Sequence, residues 1–332
     1  MKRAIRTATA FAFTSLCLCA SADAKIVTFQ IPGAHSIRPN SMNGKGQVAG
    51  WYDDTQTGTW HAFLLQPGGA VTTFDVPDAK DTVSRGISPD GVVVGWYDGP
   101  WPQTGGFIRA TDGTLTTFTA GPFTLALGTN AKGWIVGEYN RNHQRPYQPF
   151  LRDPSGAIKE FWVPGATEGV GTMVVNRSRA IAGNVLVQGG SQPYQGFFRP
   201  AHGSAALFGD PHGYTDVTGI NDAGTVAGSF VDGQHSVAFV RTSDGTITTF
   251  LGPNGATDAH AYAINNSGTI AGTFTDSTGT HGFLRAVDGT FTPFDAVKGA
   301  VYTEIRAMND KGAIAGVFTD PHGQYFGFTG KP

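Results

Sequence analysis

The sequence predicts an all-β chain folded as a seven-bladed β-propeller with four antiparallel strands per blade. Three registers carry the prediction. A glycine closing an apolar triplet recurs at Gly50, Gly95, Gly137, Gly183, Gly228, Gly272 and Gly316, with spacings of 45, 42, 46, 45, 44 and 44 residues. Seven residues before each stands Asn43, Ser88, Asn130, Asn176, Asn221, Asn265 or Asn309. Two phenylalanine sets keep the same beat. One is Phe63, Phe107, Phe150, Phe197, Phe239, Phe283 and Phe328; the other is Phe29, Phe74, Phe118, Phe161, Phe208, Phe250 and Phe294. A period in the forties is that of a propeller or solenoid repeat, and a blade of four short strands accounts for it.

Each repeat reads as four strands in order. The first is a run such as His260–Ile264. Asn-x-x-Gly follows, as in Asn221-Asp-Ala-Gly224, with Asn and Gly where a type I turn selects them. The second strand is β-branched and apolar, as in Thr225–Phe230. A variable loop leads to the third, Ala238–Arg241 in the same repeat. Asp244-Gly245 then makes a tight hairpin, since Gly tolerates positive φ, and Thr246–Phe250 is the fourth strand. No segment carries apolar residues at helical spacing over a competing length.

The ends of the chain imply closure. Ile26–Phe29 reads as a fourth strand with no partners before it, and the last repeat stops at Phe326–Thr329 without a fourth strand of its own. The N-terminal strand is therefore expected to complete the last blade and hide its open edge.

Residues 1–24 read as a secretory signal peptide. Lys2, Arg3 and Arg6 precede the small, apolar run Ala8–Ala20, and Ala22-Asp-Ala24 fits the small-residue cleavage rule. The apolar run is shorter than the ~20 residues a membrane span needs. Residues 25–332 are then one domain of a secreted or periplasmic protein, expected to be monomeric, with no membrane span after cleavage. Cys17 and Cys19 both fall in the signal, each after a leucine, which argues against lipidation. The mature chain has no cysteine, which excludes disulfides, a thiol nucleophile and Cys-ligated metal. Lys+Arg 23 against Asp+Glu 25 gives a net charge of −2, so no basic field points to nucleic acid. The 47 glycines reflect recurring turns.

The run His61-Ala-Phe-Leu64, its weaker copy His281-Gly-Phe-Leu284 and the pattern Asn-x-x-Gly-x-(Val/Ile)-Ala-Gly resemble the HAF-repeat extracellular proteins. The resemblance spans the mature chain and implies an exported repeat protein. It implies no activity and supplies no catalytic residue.

The repeated residues have structural explanations: turn capping for the Asn set, close approach of blades for Gly50 and its copies, and packing between sheets for the phenylalanines. Function is expected where the copies differ, and the first strands differ most. Three, five and seven residues before the Asn, positions sharing one strand face, lie two contrasting sets. Arg38, Arg85, Asp216, His260, Tyr262, Glu304 and Arg306 fall on adjoining repeats, whereas Phe123, Leu125 and Met173 fall on the others. The loops after the second strands read as aromatic and acidic. Tyr52, Tyr97, Tyr139, Phe230, Phe274 and Phe318 recur in register and belong to packing. Trp60, Trp101 and Tyr147 stand outside the register and are candidate ligand contacts.

Three functions fit. The first is an exported propeller that binds an extracellular polysaccharide or a cell-surface protein at one mouth of its channel. The second is a carbohydrate-active enzyme, a lyase acting on an acidic polysaccharide, with His260 or Tyr262 as base and Arg38, Arg85 and Arg306 beside the uronate carboxylate. Asp216, Glu304, Trp101 and Tyr147 complete the candidate binding set. The third is a structural envelope protein. No His-Glu-x-x-His, Gly-x-Ser-x-Gly or phosphate-cradling loop is present, and Asp232, Asp276 and Asp320 lack the ligand density of a calcium loop. No cofactor and no metal are expected.

Overall fold

The computed structural model describes residues 25–332 apart from 101–102, 142–146, 188–193, 211–212 and 234, and for Lys25 and residues 167–170 it describes the backbone alone. The leader segment 1–24 and the candidate Trp101 lie outside the described residues. All regular structure among the described residues is β-strand. The first strand, β1 (Lys25–Phe29), stands apart, and the first repeat follows as β2 (Ala34–Met42), β3 (Val48–Asp54), β4 (Trp60–Leu65) and β5 (Val71–Phe74). The later repeats run in the same order to β28 (Tyr325–Lys331). The strands pair as antiparallel four-stranded meanders. Two pairs of meanders are joined into eight-stranded sheets by single parallel bridges, Thr104 to Phe123 and Thr280 to Tyr302.

The turns form as their residues dictate. In Asn221–Gly224 the Gly224 amide donates to the Asn221 carbonyl at 3.0 Å, and Gly224 sits at φ +81°. The Asn221 side-chain oxygen accepts from the Thr225 amide. Its Nδ2 reaches further and donates to the Asn265 carbonyl of the next repeat at 3.3 Å. The same bond joins Asn43 to Ser88 (3.2 Å), Asn130 to Asn176 (2.8 Å) and Asn176 to Asn221 (3.0 Å). Asn309 of the last repeat donates to Asn43 of the first at 3.0 Å. The expected capping is present, but it is only half of what this residue does.

The glycine register has a different cause from close approach between repeats. A Cβ on Gly228 would lie 2.1 Å from the Asp216 carbonyl of the neighbouring strand and 2.7 Å from the Phe239 ring. Gly50, Gly95 and Gly137 meet the equivalent carbonyl and phenylalanine of their own repeats. The third-strand phenylalanine lies flat across the second-strand glycine within one sheet, so the two registers form one device. Phe63, Phe107, Phe150, Phe197, Phe239, Phe283 and Phe328 are all fully buried.

The fourth-strand phenylalanines link one repeat to the next. Phe74 meets Phe107 at 6.0 Å between ring centroids, Phe118 meets Phe150 at 6.3 Å, Phe208 meets Phe239 at 5.8 Å and Phe250 meets Phe283 at 6.0 Å. Over the same rings stand arginines that end the third strand of the following repeat, such as Arg109 over Phe74 (4.8 Å) and Arg285 over Phe250 (4.5 Å). The histidine of the His-Ala-Phe run also has a local task. His61 Nδ1 lies 2.9 Å from Asp75, and His281 Nδ1 lies 2.9 Å from Asp295, tying the third strand to the exit of the fourth.

The N-terminal strand occupies the place expected of it. β1 pairs antiparallel with β28, from Lys25 opposite Lys331 to Phe29 opposite Gly327. The Phe29 ring covers Gly327 as Phe118 covers Gly106 and Phe208 covers Gly196, and it meets Phe63 of the first repeat at 6.0 Å. Phe29 and Ile31 sit in one core cluster with Val48, Phe63 and Val317, so this cluster joins the two ends of the chain. Deleting residues 25–31 is expected to cost at least the ~3 kcal/mol of one lost buried phenylalanine and to open the edge of β28. Thermal melting and size-exclusion chromatography check it. An unchanged melting temperature with an unchanged elution volume would show that β1 is dispensable.

Candidate functional site

In six of the repeats the first strand is irregular at the same place. The pairing of first with second strand slips between Pro39 and Ser41, Ser84 and Gly86, Ala126 and Gly128, Val217 and Gly219, Ala261 and Ala263, and Ile305 and Ala307. The residue left over is a β-bulge, which turns its side chain out of the ladder. Those residues are Asn40, Arg85, Leu127, Thr218, Tyr262 and Arg306, three before the repeated Asn. All six line one cavity of ≈ 190 Å³, together with Val174 from the fourth repeat's first strand. The first strands therefore surround a common space. Along β18 (Tyr214–Ile220) the burial alternates, with Asp216 and Thr218 on the open side and Thr215 and Val217 buried.

Within this space Arg306 pairs with Glu304 Oε1, while Tyr302 donates to Glu304 Oε2 at 2.7 Å. Glu304 is almost fully buried. The Arg306 guanidinium lies over the Tyr262 ring at 5.0 Å, and the His260 ring stacks on Tyr262 at 5.9 Å and 11°. Burial pulls the Arg306 cation down, but Glu304, Tyr262 and Tyr302 outweigh it and hold the group above its ordinary value. Arg306 therefore has a counter-ion inside the protein, Glu304.

Arg85 and Arg38 are different. Among the described residues no carboxylate lies within ion-pair distance of either. Burial, then the like charge of Arg306, lowers the Arg85 guanidinium, against the pull of Asp216 and Glu138. The Arg38 Nε is buried without a hydrogen-bond partner. Asp216 is raised by burial, opposed by His260, Arg306 and Arg85, which places these four groups within electrostatic reach of one another. Tyr325 is pushed up to about 12 by burial and by Glu304, with Arg38 and Arg306 opposing, so Arg38 shares the same field.

Burial lowers His260, against Asp216, Asp258 and Glu304, so its imidazole is neutral at pH 7 and able to take a proton. Tyr262 is raised, by burial and by Glu304. Its phenol keeps its proton at neutral pH, so it can donate one.

Other expected residues fall elsewhere. Tyr147 packs edge-on against Phe123 at 5.2 Å, on the apolar arc with Leu125 and Leu127. The aromatic and acidic stretches Trp51–Asp54, Trp96–Asp98 and Glu138–Tyr139 are the ends of β3, β7 (Val93–Asp98) and β11 (Ile135–Asn140) rather than loops. Tyr97, Tyr139, Phe230, Phe274 and Phe318 are buried packing residues, as expected. Glu138, Tyr302 and Tyr325 belong to the charged group and were not among the predicted site residues. Glu138 stands across the pair from Leu125, immediately after the repeated glycine. Comparing that column, which holds Trp, Trp, Glu, Asn, Ser, Thr and Val in the successive repeats, would have marked it. Among the described residues no three His, Cys, Asp or Glu side chains gather as metal ligands. No helix among them is long and apolar enough to cross a membrane.

No family model and no curated protein matches this chain. Solved structures do. A catalytically inactive virginiamycin B lyase from Staphylococcus aureus, solved with quinupristin, superposes with a TM-score of 0.61 at 16% identity, over 93% of this chain and 100% of its own. Oligogalacturonate lyase in complex with manganese gives 0.56 at 11%, over 93% and 96%. A prolyl endopeptidase gives 0.56 at 12%, over 86% of this chain but 46% of its own. The likeness shows a β-propeller fold, and at 11–16% identity it shows nothing of activity.

The electrostatics give a direct expectation. The His260 imidazole should titrate below the ordinary ~6.5 of a histidine, read by NMR of the ring protons against pH. Asp216→Asn removes a charge that favours the imidazolium and should lower it further. A His260 titrating above its ordinary value, or unmoved by Asp216→Asn, would show that the ring does not sit in this field.

Proposed function

We propose that the chain is an exported, closed seven-bladed β-propeller of the HAF-repeat kind, and that the cavity ringed by its first strands binds an acidic saccharide. Closure is supported by the contacts of the last repeat with the first: β1 on β28, Phe29 on Phe63, and Asn309 on Asn43. The ligand class rests on one observation, that Arg38 and Arg85 stand in the charged group without an internal carboxylate partner. A confined cation without an anion is costly. A uronate carboxylate supplies the anion and accepts two parallel hydrogen bonds from a guanidinium. The apolar arc of Phe123, Leu125 and Leu127, on the first strand adjoining that of Arg85, offers a surface for the carbon face of a sugar.

Calorimetric titration with glucuronate and galacturonate oligosaccharides tests this. Arg85→Ala should weaken binding about 10- to 100-fold, the worth of one charge-assisted hydrogen-bonded contact. Arg85→Lys should restore only part, since an ammonium keeps the charge but not the two-point fork. Wild-type affinity in both Arg85→Ala and Arg38→Ala would overturn the reading.

A lyase on the same saccharide is favoured by a second arrangement, a neutral imidazole stacked on a phenol that holds its proton. In such a step His260 takes the C5 proton beside the uronate carboxylate. The electron pair forms the C4–C5 double bond, the C4–O bond breaks, and Tyr262 protonates the leaving oxygen. Arg85 steadies the charge on the carboxylate as it grows. Ultraviolet absorbance of the unsaturated product reads the reaction. His260→Ala should abolish it while sparing binding, and wild-type activity should hold through neutral pH and fall only below the ordinary histidine range. Absence of any absorbance rise with bound uronates would leave the binding function alone.

A further inference from the structure

Three indoles meet on the surface where the first two repeats adjoin. Trp51 and Trp60 lie 5.1 Å apart between ring centroids at 46°, and Trp60 and Trp96 lie 6.0 Å apart at 78°. Trp60 is 40% exposed, and Trp51 and Trp96 are half-buried beneath it. The scaffold does not require them. The positions of Trp51 and Trp96 carry Glu138, Asn184, Ser229, Thr273 and Val317 in the other repeats. Carboxylates fringe the cluster. Asp81 accepts a hydrogen bond from the Trp60 amide at 2.8 Å, Asp53 stands directly across the strand pair from Trp60, and Asp98 stands across from Asp81.

The cluster is continuous with the arginines. Trp51 is the cross-strand partner of Arg38. Two residues on, Asn40 donates to the Ser84 carbonyl at 2.7 Å, next to Arg85. Trp60, Trp51, Arg38, Asn40 and Arg85 thus follow one another across two adjoining first strands and their partners.

We infer that Trp51, Trp60 and Trp96 form a stacking platform for a neutral pyranose unit of a saccharide whose uronate unit is held at Arg38 and Arg85. The inference rests on the acidic-saccharide reading of the cavity and adds a requirement to it, that the ligand combine acidic and neutral sugars. Ring centroids 5–6 Å apart are in contact, so the indoles leave no gap for an inserted cation and make a surface rather than a cage. The exposed Trp60 ring offers an apolar face to the C–H side of a sugar. The fringe of Asp53, Asp81 and Asp98 accepts hydrogen bonds from sugar hydroxyls and repels a second carboxylate. Arg38, on the cavity side, attracts one.

Affinity as a function of chain composition tests the platform, with glucuronic acid, glucuronoxylo-oligosaccharides and oligogalacturonates as probes. In the wild type, neutral xylose units joined to the glucuronate should raise affinity roughly tenfold, the scale of one to two aromatic contacts. Trp60→Ala should remove that gain, Trp60→Phe should keep part of it, and Trp162→Ala, at an exposed tryptophan outside this cluster, should leave it whole. Circular dichroism confirms that the variants fold. An undiminished gain in Trp60→Ala overturns the platform, as does a larger gain from oligogalacturonate than from the mixed saccharide; both leave the uronate site standing. If glucuronic acid and its oligomers fail to bind the wild type, the acidic-saccharide reading falls. Quenching of indole fluorescence by neutral xylo-oligosaccharides then judges the platform by itself: quenching lost in Trp60→Ala sustains it, and no quenching ends it.

Discussion

The side-chain amide of the repeated asparagine is the point on which the architecture depends. Its oxygen closes the Asn-x-x-Gly turn, and its nitrogen reaches the backbone carbonyl at the same place in the next repeat. Each turn is thereby set at a fixed height and angle against its neighbour. The groups are buried, so an unmatched amide there would cost the full desolvation of a polar group. Registering the turns also registers the strands that leave them. The third-strand phenylalanine then lies over the second-strand glycine, and the fourth-strand phenylalanine meets the next repeat. Two positions depart from this: serine at position 88 is too short to pass the bond on, and Asn265 turns its Nδ2 to Met308 Sδ; there the phenylalanine pairs Phe118–Phe150 and Phe294–Phe328 still join the neighbouring repeats.

Because these registers take up the backbone turns and the space between sheets, few positions remain free to vary. The bulge three residues before the asparagine is the main one. It lifts a side chain out of the ladder and toward the space the first strands share. The scaffold tolerates asparagine, arginine, leucine, threonine and tyrosine there, and the cavity takes its character from that choice. The pair Glu304–Arg306 shows what a fully compensated ion pair looks like in this setting, with Tyr302 and Tyr262 completing its surroundings. Arg38 and Arg85 share the field but lack that completion, and this contrast within one molecule is the basis for assigning them to a ligand.

Much of the fold was legible in the sequence because the repeat multiplies each weak signal. A single Asn-x-x-Gly or a single phenylalanine says little, but in register they give the strand order and even the strand that joins the chain ends. The cause of the glycine register was not legible, since Gly228 is opposed by Asp216 and Phe239 of the two flanking strands, which come close only after pairing. The polar arc was visible as a list of first-strand residues, while its internal accounting was not. That Glu304 takes Arg306, or that Tyr302 and Tyr325 join the group, depends on rotamers and on contacts between strands. The tryptophan cluster was hidden for a related reason. Trp51, Trp60 and Trp96 come from three strands of two repeats, and no spacing along the chain brings them together.

One physical circumstance governs both proposed uses of the cavity. Crowding by protein disfavours charge, which lowers Arg85 and His260 together and raises Asp216 and Tyr262. For the arginine this raises the value of an incoming carboxylate, because charges attract more strongly where water is scarce. For the histidine and tyrosine it fixes the forms that general-base and general-acid chemistry need at neutral pH. Binding requires only the first effect, whereas elimination requires both effects at one sugar. The arginines can therefore act without the histidine, but the histidine has no substrate to act on unless the arginines hold it. That order makes saccharide binding the primary reading and lyase chemistry an elaboration of it.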